Sequence, residues 1–336
     1  MKLLATAALS VGLLFSTACG NKGKNESIKV SNEGMKAYGS KQFETAIERF
    51  QKATELWKGN HQAWYGLAGA HIGKQDWPKA ADAAQNAVNE LPDQAMYQMV
   101  YGYSLYNKAI DSARKEQAAR ESKKPEEIQP DLTAVNFQKP LQHLQKAVEL
   151  NPDLWRAHYY IGRIYRDTDD PKKAAEALTK AVSYAPPIPE PWIALAELYR
   201  KWDYTDQALA VAQQGVSAVP GANEVSDLWY VVGMAYDDKR LDDKAIEAFD
   251  KALESKGDNH KAKFQRGQAL FRKGDYAKAK KDLEEFSKAG GSSLEFAKQQ
   301  AQKMLLDIAA KSATQANTPT EKLSPEDMVK KGKKGG

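Results

Sequence analysis

The chain has 336 residues, of which 42% are hydrophobic and 28% charged, enough apolar material for a folded core and room for about two ordinary domains. Its single cysteine, Cys19, excludes an intrachain disulfide framework and a cysteine-based zinc site. The net charge of +5 sits at the ends, in Lys2, residues 20–29 and residues 314–336, and the body between them sums to zero, so no basic folded face for nucleic acid is expected.

Residues 1–19 read MKLLATAALSVGLLFSTAC. A basic Lys2, an apolar run from Leu3 to Phe15 and then small residues make a secretory leader, too short for a stable membrane span. The cysteine that closes it follows Ser16, Thr17 and Ala18. This ending is similar to a bacterial lipobox, with Ser16 where that motif prefers Leu. The resemblance implies a signal peptide at 1–18, lipidation of Cys19 and a flexible tether at 19–26. Several acyl chains, at about 0.8 kcal/mol per buried methylene, would hold such a protein on a membrane. Gly20, rather than Asp, after the cysteine implies the outer membrane, with the protein facing the periplasm. The alternative is ordinary leader cleavage with Cys19 incidental.

The body repeats. ETAIERFQKATELW at 44, PKKAAEALTKAVSYAP at 171 and DDKAIEAFDKALESKG at 242 each carry apolar residues at helical spacing and stop near Pro or Gly. Before each lies a second helix with an aromatic or apolar residue and a Gly or Ala at fixed offset. Seven units start at 27, 61, 95, 155, 189, 226 and 260. Their eighth residues are Gly34, Ala68, Gly102, Gly162, Ala196, Gly233 and Gly267, and their twentieth are Ala46, Ala80, Pro140, Ala174, Ala208, Ala245 and Ala279. This pattern resembles the tetratricopeptide repeat (TPR), a helix–turn–helix unit of about 34 residues. The resemblance covers residues 27–293 and implies an all-α fold, a TPR α-solenoid with no strand.

Units three and four start 26 residues too far apart. The insert, 110–139, falls between the two helices of unit three. Ile110 to Lys123 is expected to lengthen the first helix, followed by a Pro-bounded loop carrying Ile128, Leu132, Val135 and Phe137. It reads either as a tolerated surface insertion or as a flap lining a groove. Leu294, Ala297, Ala301, Met304, Leu305 and Ile308 make one more apolar stripe, a capping helix at 294–311 with a polar outer side. Residues 312–336 read as a disordered basic tail, for solubility or for touching anionic lipid.

No convergent catalytic set appears, so no enzymatic activity, cofactor, metal or small-molecule substrate is expected. The five histidines are scattered over units two, three, four and seven, and His71 holds a core position. Function is then expected on the concave side, which the first helix of each TPR unit lines. Carried over from the family, the inward positions give Tyr65, Met96, Met99, Tyr103, Tyr106, Arg156, Tyr159, Arg163, Arg166, Tyr230 and Phe264. A Tyr/Met stretch beside an Arg cluster suits a protein or peptide partner with apolar and acidic parts. The co-chaperone carboxylate clamp is not implied, because Ser31 and Met35 stand where it needs Lys and Asn.

Leader, lipid and repeat array together resemble type IV pilus secretin pilotins and gliding-motility TPR lipoproteins. That implies an envelope scaffold that helps assemble a pilus, secretion or motility machine. Two other readings stay open: a subunit or activator of a cell-wall or polysaccharide-export enzyme complex, and a periplasmic chaperone for outer-membrane proteins.

Overall fold

The structure is a computed structural model that describes residues 22–221, 223–288 and 294–316, with side chains to residue 312. It is all-α, with fifteen α-helices and no strand among the described residues. The chain divides into two compact bodies, one ending at Val231 and one beginning at Val232.

The first body holds five helical hairpins: α1 (Lys22–Gly39) with α2 (Phe43–Leu56), α3 (His61–Gly73) with α4 (Trp77–Glu90), α5 (Ala95–Glu121) with α6 (Gln138–Leu150), α7 (Trp155–Asp167) with α8 (Pro171–Tyr184), and α9 (Pro189–Lys201) with α10 (Thr205–Ala218). The boundary to the second body falls within α11 (Ser226–Asp238). Beyond it lie α12 (Asp242–Ser255), α13 (His260–Lys273), α14 (Tyr276–Ser287) and α15 (Glu295–Ala316).

The repeat residues explain the pairing. Within a hairpin the eighth residue faces the twenty-fourth. A Cβ on Gly162 would lie 2.6 Å from Leu178 Cγ, and one on Gly233 would lie 2.4 Å from the Phe249 ring. The twentieth residues, Ala46, Ala80, Ala174, Ala208, Ala245 and Ala279, are all fully buried. Small residues here set the helix separation, and the large partners Phe50, Leu144, Leu178, Phe249 and Leu283 fill it. Contacts also run between first helices: α3 touches α1 and α5, and α7 touches α5 and α9. In the first body α1, α3, α5, α7 and α9 therefore form one layer and present a common face.

Two boundaries differ from the sequence reading. Lys22–Glu26, expected in the tether, is the start of α1. Ser27 is fully buried and its Oγ donates to the Ala53 carbonyl at 2.6 Å, which ties that end down. At the other end α15 runs to Ala316, past the expected limit of 311, through a stretch rich in Ala and other helix formers. Its outer side also carries exposed Phe296 and Leu306, so it is less polar than a simple cap. The leader, Cys19 and residues 317–336 lie outside the described residues. Among the described residues no helix is long and apolar enough to cross a membrane.

The insert is part of the fold of the first body. α5 extends to Glu121, where Ser122 turns left-handed (φ 53°) and ends it. The segment then folds back over a short helical turn at Pro125–Glu127. Ile128 and Phe137 are buried at 6% and 4% exposure, and Leu132 and Val135 pack against the same core.

Candidate functional site

The inner face of α3, α5 and α7 brings together Tyr65, Tyr103, Arg156, Tyr159 and Arg163. Tyr65 stacks on Tyr97 with ring centroids 5.0 Å apart, and Tyr97 Oη is 2.8 Å from His61 Nδ1. Burial pushes the Tyr97 phenol up to about 12. Tyr103 lies 4.4 Å from the Tyr160 ring and meets Trp77 edge-on at 5.7 Å. On α7, Tyr159 packs edge-on against Tyr160 at 5.2 Å. The Arg156 guanidinium covers the Trp155 ring at 4.5 Å and lies within electrostatic reach of Tyr65 and Glu190. Arg163 sits between Tyr106 and Tyr159, 5.4 and 5.9 Å from their centroids. The Nε atoms of Arg156 and Arg163 are buried without a hydrogen-bond partner among the described residues.

Other expected residues do not join this surface. Met99 and Tyr106 are core, at 1% and 0% exposure. For Tyr106 the cause is the insert: Phe137 returns to pack on its ring at 5.3 Å, and its hydroxyl donates to the Asp167 carboxylate. Met99 is enclosed with Tyr97 and Val100 in the core that α5 shares with its neighbours. Met96 is half-buried against that core. Arg166 is neutralised at home, donating from Nε and Nη2 to Asp167 Oδ1 at 2.9 and 2.7 Å. Tyr230, half-buried, lies on α11, away from α3, α5 and α7 in the chain. Phe264 belongs to the second body, buried at 7% exposure against Phe286 at 4.7 Å.

Sequence reasoning missed a cleft of about 340 Å³ at the edge of this face. Tyr38, Phe43, Ile72, Trp77, Tyr103 and Ile110 give it apolar walls, and Asn107, Asp111 and Arg114 add polar groups. Three repeats and the extension of α5 contribute, so only the insert at Ile110 hinted at it. Tyr103 belongs to both cleft and face. Among the described residues no group of three or more His, Cys, Asp or Glu is placed to hold a metal ion.

Comparison with known proteins agrees with this architecture. Tetratricopeptide-repeat profiles match residues 37–102, 136–189 and 233–286, together about half of the chain. The gap between the first two matches, 103–135, overlaps the insert. The general transcriptional corepressor trfA of Dictyostelium discoideum is 30% identical over 115 residues, 34% of this chain, and the chain spans 8% of that protein's length. Among solved structures, a tetratricopeptide repeat protein from Parabacteroides merdae superposes with a TM-score of 0.56 at 13% identity, covering 86% of this chain and 100% of that one. PilW, a widely conserved type IV pilus biogenesis factor, gives 0.54 at 15% identity, covering 72% of this chain and 98% of that one. The helical hairpins, the small residues at their eighth and twentieth places and the profile matches make the chain a member of the tetratricopeptide-repeat family, whose members are scaffolds for protein–protein interaction.

Proposed function

We propose that the protein is an envelope scaffold, anchored to the outer membrane by lipid on Cys19, that binds a partner polypeptide on the inner face of α3, α5 and α7 and helps assemble a pilus, secretion or motility machine. The observation that carries the binding role is the Tyr65–Tyr103–Tyr159 surface with Arg156 and Arg163 set into it. Half-buried aromatic rings beside Arg are the residues that dominate binding energy at protein interfaces. The leader and its closing cysteine support the anchor. PilW, described as a type IV pilus biogenesis factor, shares the fold and gives the class of machine its precedent.

A photo-crosslinking amino acid placed at Tyr159, with exposed Lys180 on α8 as control, tests the binding face in cells. A discrete envelope-protein adduct from position 159 and none from 180 is expected. Equal labelling from both would place the partner elsewhere. Metabolic labelling with an alkyne fatty acid tests the anchor: wild type takes the label and fractionates with membranes, and Cys19→Ala does neither. An unlabelled, soluble wild type would remove the lipoprotein reading.

A further inference from the structure

We infer that this face takes an acidic, extended segment: two carboxylates three residues apart, one on Arg156 and one on Arg163, beside an apolar side chain seated in the Tyr103–Trp77 cleft. The inference rests on the inner face being a polypeptide-binding surface, and it names the chemistry of the partner.

The two arginines differ from Arg166, Arg266 and Arg272, each of which is held by carboxylates. Arg166 is held by Asp167. In the second body Arg266 is held by Asp282 and Asp250, and Arg272 by Asp242 and Asp237. Arg156 and Arg163 have no hydrogen bond or ion pair among the described residues, although both are half-buried and their Nε atoms are enclosed. The carboxylates near them, Asp167 by Arg163 and Glu190 by Arg156, act on them electrostatically but form no hydrogen bond with them. Asp167 is taken by Arg166 and the Tyr106 hydroxyl, and Glu190 is exposed and makes no bond to Arg156. A half-buried guanidinium whose N–H donors lack an acceptor is costly, and a carboxylate arriving in the groove offsets that cost.

Geometry narrows the ligand. The Trp155 ring beside Arg156, and the Tyr106 and Tyr159 rings beside Arg163, crowd each guanidinium carbon without offering it a hydrogen-bond acceptor. An edge-on carboxylate can take two parallel bonds there. Arg156 and Arg163 are seven residues apart on α7, which puts them on one side of the helix about 10 Å apart. A polyproline-type segment rises about 3.1 Å per residue with three residues per turn, so side chains three apart share a side at about 9 Å. The neighbouring cleft of about 340 Å³ has room for one apolar side chain of the same segment.

The test is display selection of random short peptides on the immobilised full-length protein, followed by fluorescence anisotropy of the enriched peptides. Enrichment of an Asp/Glu pair spaced by three with a nearby apolar residue is expected. Arg156→Gln and Arg163→Gln should each weaken binding about tenfold or more. Arg163→Lys should restore little, because an ammonium cannot replace the planar fork. Replacing either acid of the peptide by its amide should match the loss, a check independent of any folding defect in the variants. Peptides without the acid pair, or equal binding by both Gln variants at unchanged melting temperature, would overturn this inference and leave the binding face standing. No enrichment over an unrelated protein would overturn both. Tighter binding of a mixed-sequence oligonucleotide at the same arginines would overturn the peptide assignment.

Discussion

A few side chains set the spacing of this fold, and their replacement has calculable consequences. Gly162 lies on α7 where a Cβ would meet Leu178 Cγ at 2.6 Å and the Ala174 carbonyl oxygen at 3.2 Å. The leucine can turn aside, but the carbonyl is backbone of the paired helix. Gly162→Leu should therefore force α7 and α8 apart and destabilise the first body by about 1–3 kcal/mol, read by urea unfolding. Gly257 is the control: its Cβ would meet only the Leu253 carbonyl at 3.8 Å, so Gly257→Ala should stay close to wild type. Asn60 is a second such point. Its Oδ1 accepts from Ala63 N at 3.0 Å as the cap of α3, and its Nδ2 donates to the buried Ser27 Oγ at 2.8 Å. Asn60→Ala removes the cap and the tie to α1 together. The expected loss is about 1–2 kcal/mol, with faster hydrogen exchange at the start of α1 as its signature.

At the scale of the element, the turns within the repeats share a conformation that residue types conceal. Lys41, Gln75, Asp169, Asp203 and Arg240 all have φ between 57° and 61°, and each stands fifteenth in its unit. Gly274 holds that place in the last unit, with φ 82°. A non-glycine residue in the left-handed region carries about 1–2 kcal/mol of strain, against which glycine costs about 0.5–1 kcal/mol of chain entropy. Arg240→Gly should thus stabilise by up to about 1 kcal/mol, and Gly274→Ala should destabilise by a similar amount; thermal melts of the two should move in opposite directions. The repeat register was legible because core places admit only small or only large residues, and these recur every 34 positions. The left-handed turn was not, since at an exposed turn the strain is small enough for Lys, Gln or Arg to persist. The inner face was legible in part for a related reason. Tyr65, Tyr103, Arg156, Tyr159 and Arg163 follow the register, while the fate of Tyr106 depended on Phe137 returning across a non-repeating insert. No periodicity encodes such a contact.

For the molecule as a whole, the distribution of buried and half-buried histidines makes acid act unevenly. His61, His71, His143 and His158 all lie in the first body, and burial lowers the pKa of each. Three of them join structural elements: His61 to Tyr97, His143 to the Gln98 side chain and His158 to the Pro152 carbonyl. Asp76, 3.9 Å from His71 Nδ1, opposes its shift without reversing it. The sign follows from linkage. In the unfolded chain these imidazoles take up protons near their ordinary value of about 6.5, whereas in the folded chain they resist until lower pH. Their contribution to stability is fully present above that value and is lost as the pH falls through it, each group costing at most about 1.4 kcal/mol per pH unit. Hydrogen exchange on the intact protein, corrected for the intrinsic pH dependence of amide exchange, separates the regions. Between pH 7.5 and 5.5 the protection of α3 and α5 to α7 should fall steeply, and that of α12 to α14 should change little. Replacing His143 with Gln, which keeps a polar side chain opposite Gln98 but cannot take up a proton, should flatten the response of α5 and α6. A uniform loss across both bodies would mean that the carboxylates, not these histidines, set the acid limit.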